Sequence, residues 1–114
     1  MIKFETPYLG KVIIRFKHYL PKVVVPNQIN SLVSIVNGIK LIPGHTECIL
    51  QIDCDQNNQP LYQFFGFADL HPSDNYKKET GRVLALNRAV EAMTESELFG
   101  DADSRAVMAG YYSR

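Results

Sequence analysis

The chain has 114 residues, and 12 Lys and Arg balance 12 Asp and Glu for a formal net charge of zero. That length suits a single domain, residues 1–114, whose core needs no disulfide or metal staple, and the neutral balance argues against a general nucleic-acid binder that relies on counterion release. Hydrophobic residues at 46% and charged residues at 21% exclude a disordered or coiled-coil chain.

No apolar run approaches the roughly 20 residues that cross a bilayer. Met1–Lys11 has no apolar signal core, so a cytoplasmic address without membrane contact is expected. Charge is uneven along the chain. Lys11, Arg15, Lys17, Lys22 and Lys40 make the first part basic, whereas Glu91–Asp103 is acidic.

In chain order, Ile2–Pro7 pairs across a Leu9–Gly10 turn with Lys11–Leu20. In that second run Val12, Ile14, Phe16, His18 and Leu20 alternate with Lys11, Arg15 and Lys17, the pattern of a half-buried strand. Pro21 and Pro26 bracket a Val run that reads as an extended edge segment, since proline cannot donate to a ladder. Leu32–Ile42 fits either a short helix closed by Gly38 or a hairpin turning at Asn37-Gly38, and its β-branched content favours the hairpin.

Thr46–Asp53 and Leu61–Leu70 form a further hairpin around a polar turn, with Cys48, Leu50 and Ile52 on one face and Glu47, Gln51 and Asp53 on the other. Cys48 and Cys54 share a face of one extended run. They stand about 20 Å apart at roughly 3.3 Å per residue, so they cannot bridge each other and read as small buried hydrophobes. Gly66, between Phe65 and Phe67, marks a bulge or a close backbone approach.

Ser73 and Asp74 after Pro72 supply a helix start. Tyr76, Val83, Leu86, Val90 and Met93 then form one buried stripe of a long helix. Thr94–Glu97 has the form of a capping box, and residues 101–104 precede a short final helix, Arg105–Tyr112. The expected architecture is α+β: an antiparallel sheet of about four to six strands packed by one long helix of the C-terminal half, with a short final helix.

Catalytic signatures are not found. His18, His45 and His71 have no metal-ligand spacing, neither cysteine sits in a nucleophile motif, and glycine-rich phosphate loops are missing, so no catalytic residue, metal or cofactor is expected. The long helix carries the chemistry instead. Lys78 and Arg82 stand one turn apart on one flank of the stripe, with Lys77, Gly81, Leu84 and Arg88 along the other side. Arginines hold phosphates bidentately, and Phe65 or Phe67 would offer a base a stacking surface.

Equally, the arginines could pair with Glu79 or Glu91, and the phenylalanines could be core. Gly81 in a helix interior costs about 0.5–1 kcal/mol relative to alanine and needs a reason. One is a small-residue interface with another subunit, formed with Ala85 and Ala92. The other is close packing on the chain's own sheet.

The run Thr46-x-Cys48, Phe65-Gly66-Phe67-Ala68, His71-Pro72-Ser73-Asp74-Asn75-Tyr76 and Gly81-Arg82-x-x-Ala85-Leu86-x-Arg88-Ala89 resembles a pattern of small phage-encoded proteins. The resemblance covers residues 46–93 and departs from the commoner form at Asp69-Leu70, where a small residue or cysteine is frequent. In size and shape the chain is similar to the anti-defence sponges that capture cyclic ADP-ribose signals of the Thoeris system. That resemblance implies a homo-oligomer in the host cytoplasm that sequesters a cyclic nucleotide without cleaving it. Arg82 and Arg88 would then hold the ligand, aided by Lys78, Lys77 and Asp74, with Phe65 or Phe67 stacking on it.

Two other readings stand beside this one. Strands followed by a basic-flanked helix suit a double-stranded-RNA-binding-like module, and the acidic segment Glu91–Asp103 suits a protein-binding inhibitor of a host defence enzyme.

Overall fold

The computed structural model describes residues 1–19, 22–24, 40–42, 44–69 and 78–113, with 22–24 and 40–42 described for their backbone alone. Its elements are β1 (Ile2–Thr6), β2 (Gly10–Tyr19), β3 (Lys22–Val24), β4 (Lys40–Ile42), β5 (His45–Ile52), β6 (Tyr62–Asp69), α1 (Lys78–Glu95) and α2 (Asp101–Tyr112). The protein is α+β, as expected. Its antiparallel four-stranded sheet has the order β1-β2-β5-β6, leaving β1 and β6 as edges.

The first hairpin turns tightly because Gly10 adopts a φ of +66°, open to a residue without Cβ. The Thr6 hydroxyl accepts the Leu9 N–H at 2.9 Å, which leaves Tyr8 exposed at the tip. β3 and β4 pair with each other. They form a separate two-stranded antiparallel sheet, with Lys22 opposite Ile42, Val23 opposite Leu41 and Val24 opposite Lys40. The alternative readings of 29–42 as helix or hairpin fall mostly outside the described residues.

Alternation divides the sheet into two faces. Phe4, Val12, Ile14, Cys48, Leu50, Phe64 and Ala68 join Ala85, Leu86, Ala89 and Met93 of α1 and Val107 and Tyr111 of α2 in one core. Gly66 is what lets α1 approach β6, since a Cβ there would run into the Ala85 carbonyl and the Ala89 nitrogen. The reading of Gly66 as a close backbone approach therefore holds.

Three local expectations are corrected. Cys54 is not in the strand: β5 ends at Ile52, Asp53 turns through a φ of +56°, and the Cys54 N–H donates to the Lys11 carbonyl at 3.0 Å. Both cysteines are nonetheless free and buried. Thr94–Glu97 caps nothing. Thr94 still belongs to α1 and its hydroxyl donates to the Val90 carbonyl at 2.8 Å, while Glu97 reverses the chain at a φ of +64°.

The last helix instead begins at Asp101, four residues before the expected Arg105. The Asp103 carboxylate accepts the Gly100 N–H at 3.0 Å. The acidic run Glu91–Asp103 therefore spans the end of α1 and the first turn of α2, where acids favour the positive end of the helix dipole.

Candidate functional site: a cationic cleft

Phe16 and His18 alternate along β2 and face α1, while Thr46 of β5 stands opposite His18. His18 Nδ1 lies 2.9 Å from the Thr46 hydroxyl. Above this pair α1 places Gly81, whose missing Cβ would sit 2.7 Å from Thr46 Oγ1. Glycine here brings the first turns of α1 down onto the end of the sheet, and with them Lys78 and Arg82.

The Arg82 guanidinium carbon lies 6.0 Å from the Phe16 ring centroid, at the outer reach of a cation–π contact. Its position is supported from two sides. Glu79 lies 3.8 Å from Arg82 and accepts the Tyr111 hydroxyl at 2.9 Å, and the Tyr111 ring meets the Phe16 ring edge-on at 6.1 Å. The Arg82–Glu79 pair is partly exposed and therefore weak, so an incoming anion can compete for the guanidinium.

Met1, Ile2, Phe16, His18 and Arg82 enclose a cleft of about 240 Å³. Its electrostatics are visible in His18, whose pKa is held below the usual 6.5. Burial is the main cause, followed by the charges of Arg82 and Lys78. The imidazole is therefore neutral at pH 7 beside two fixed cations. Such an arrangement can hold an anionic group against an aromatic floor.

The residues expected from the sequence do not all meet here. Lys78 and Arg82 do. Arg88 is six residues further along α1, about 240° around the helix at 100° per residue, and its guanidinium donates to the Phe67 carbonyl on the β6 edge. Phe65 and Phe67 point away from α1, because Gly66 and Ala68 between and beside them face it. The aromatic ring beside Arg82 is Phe16.

Gly81 and Ala85 are buried against the chain's own sheet, and Ala92 is half-buried on the same helix, so an interface of Gly81 and Ala85 with another subunit is replaced by intramolecular packing. Lys77 and Asp74 lie outside the described residues. Phe16, His18 and Thr46 were missed as site residues, although the alternation of β2 already put Phe16 and His18 on its apolar face.

The other sheet face carries a second, separate surface. Tyr19 stacks on His45 at 4.4 Å and 15°, His45 lies 6.4 Å from the Phe67 ring, and Phe65 is exposed beside them. A polar ladder crosses the same face, from Arg15 Nε to Gln51 at 3.1 Å and from Gln51 Nε2 to Gln63 at 2.8 Å.

Among the described residues no group of three or more His, Cys, Asp or Glu is placed to hold a metal ion, and no helix is long and apolar enough to cross a membrane. Comparison of the chain with family models, curated proteins and solved structures finds no match.

Proposed function

We propose that this protein binds and sequesters a phosphate-bearing cyclic nucleotide signal, of the cyclic ADP-ribose type, as a phage anti-defence sponge. The observation that supports this reading is the meeting of Arg82 with neutral His18 on a cleft floored by Phe16, with the charge of Lys78 acting on it from the preceding turn of α1. Arg82 meets a phosphate with Lys78 adding to the positive field, neutral His18 adds no fixed charge, and Phe16 offers a face to a ring.

A cleft of about 240 Å³ is smaller than the roughly 300–1,000 Å³ typical of whole-ligand sites. It suits the phosphate end of a nucleotide, with the remainder reaching out toward a second subunit. In this role the protein captures its ligand and returns it unchanged. Arg88, Phe65 and Phe67 fall outside the cleft, so the proposed ligand-binding set is Lys78, Arg82, His18 and Phe16.

The test is isothermal titration with a panel of cyclic ADP-ribose isomers and cyclic oligonucleotides, followed by mass spectrometry of the recovered ligand. Tight binding of a ligand returned intact supports the reading. A cleaved ligand, or no heat with any member of the panel, sinks it.

A second reading is favoured by the stacked Tyr19–His45 pair with Phe67 and Phe65 on the opposite face, a sequence-tolerant platform for single-stranded nucleic acid. Binding of an oligonucleotide that weakens steeply with salt and is lost in Phe67→Ala would establish it over the first.

A further inference from the structure

A cleft of about 420 Å³ lies between β1 and α2, lined by all of Ile2–Thr6 and by Ala106, Ala109, Gly110 and Ser113. Consecutive strand residues point to opposite faces. A cleft that touches all five must therefore run along the outer backbone edge of β1 rather than over one face of the sheet. The four α2 residues recur at three- and four-residue spacing, so they form one helix face of small side chains beside that edge. Among the described residues only β2 pairs with β1, and the edge opposite β2 is roughly 16 Å long at about 3.3 Å per residue, enough for one added strand.

From this edge and its charges we infer that β1 is a self-association strand, pairing antiparallel with β1 of a second copy of this chain. The pairing is centred on Phe4. Lys3 and Glu5 are both exposed on the sheet face away from α1 and α2. In that register Lys3 stands opposite the partner's Glu5, Glu5 opposite the partner's Lys3, and Ile2 opposite the partner's Thr6. Opposite charges directly across an antiparallel pair attract, and like charges repel.

A parallel, in-register pairing would set lysine against lysine and glutamate against glutamate. The charges that would penalise a foreign strand thus select an antiparallel copy of the same one, which is how edge strands are usually policed. The two-fold axis at Phe4 also brings the two α2 helices to the same side of a continuous sheet. There Gly110 lies down on its own chain's Phe4, which holds α2 close to the β1 edge, and the exposed Ala109 is the small residue nearest the partner helix.

The pairing itself does not rest on the nucleotide reading, but it has a consequence for it. Beyond Thr6 the same register sets the partner's Pro7 opposite Met1, at the mouth of the cationic cleft, with the partner's Tyr8 next in its turn. Tyr8 is 92% exposed within one chain. A second copy would give the small cleft another wall.

Sedimentation velocity of the full chain, without ligand, tests the pairing. Wild type should run at twice the 12.9 kDa chain mass. Lys3→Glu alone and Glu5→Lys alone should each run as monomers, because each sets like charges across the axis. Mixing the two variants should restore a dimer, since every pair is then opposite in sign. A monomeric wild type overturns the inference, and so does a dimer that survives in both single variants. Circular dichroism of each variant separates lost pairing from lost folding, and restoration on mixing cannot come from misfolded chains.

Discussion

His18 Nδ1 meets the Thr46 hydroxyl at 2.9 Å across the β2–β5 pair, beneath the point where Gly81 brings α1 against the sheet. This relationship joins fold and site. The glycine sets the height of the helix, the height sets where Lys78 and Arg82 stand, and those charges act on the imidazole.

Gly81→Ala should therefore destabilise the protein despite the better helix propensity of alanine. The new Cβ would sit 2.7 Å from Thr46 Oγ1, and the fully buried threonine cannot rotate without releasing His18. Overpacking of about 1–3 kcal/mol against a propensity gain of about 1 kcal/mol leaves a net loss of roughly 1 kcal/mol. Gly66→Ala should cost more, about 3 kcal/mol or above, because its Cβ meets backbone atoms of α1 that cannot turn aside. Urea denaturation of both variants checks the order, and equal or increased stability in Gly66→Ala would contradict the close approach.

The pH dependence follows from His18, whose folded pKa lies below the unfolded 6.5. Between those two values the unfolded chain binds the extra proton. The contribution of His18 to stability is thus complete above pH 6.5 and is lost as pH falls through the folded pKa. In Arg82→Gln the His18 pKa should rise yet stay below 6.5, since burial is the first cause and Lys78 remains. Proton NMR titration of the imidazole reads this directly; an unchanged pKa would mean that Arg82 does not act on it.

Much of this arrangement was legible in the sequence, for physical reasons. Alternation fixed the two faces of β2 and β5, and the helical stripe placed Leu86, Val90 and Met93 inward, because burial acts on every residue of a regular element. The stripe missed that Gly81 and Ala85 turn inward with them. Pairing between elements was not legible. Arg82 and Lys78 announced a charged flank, but nothing local says that Phe16 of a strand more than sixty positions earlier lies beneath it.

The Phe65–Phe67 pair shows a missed deduction. If Gly66 admits the helix, its neighbours must face away, so they cannot share a pocket with α1. Thr94–Glu97 failed differently. Its capping pattern was outweighed by burial of Val90 and Met93, which keeps α1 helical through Glu95.

The cysteines should be inert in the native protein. Burial, with a smaller contribution from Glu47, pushes the Cys48 thiol up to about 12. Burial also raises Cys54, with Lys11 opposing it. The thiolate is the reactive form. Alkylation by iodoacetamide at pH 8 should be slow at Cys54 and should occur at Cys48 only on unfolding, as followed by peptide mass spectrometry. Rapid labelling of Cys48 in folded protein would contradict its placement in the core.

Arg88 is expected to be structural. Its guanidinium satisfies the Phe67 carbonyl on an exposed edge, a contact worth about 0.5–1.5 kcal/mol. Arg88→Ala should lower the urea midpoint slightly and leave the cleft intact; a large loss of stability would assign it a deeper role.

The decisive measurement is calorimetric titration of wild type, Arg82→Ala and Arg88→Ala with the cyclic nucleotide that the wild type binds most tightly. The cationic-cleft account predicts that Arg82→Ala loses at least tenfold in affinity, about 1.4 kcal/mol, while folding normally, and that Arg88→Ala binds as wild type does. Undiminished binding by a folded Arg82→Ala protein, or loss confined to Arg88→Ala, would contradict it.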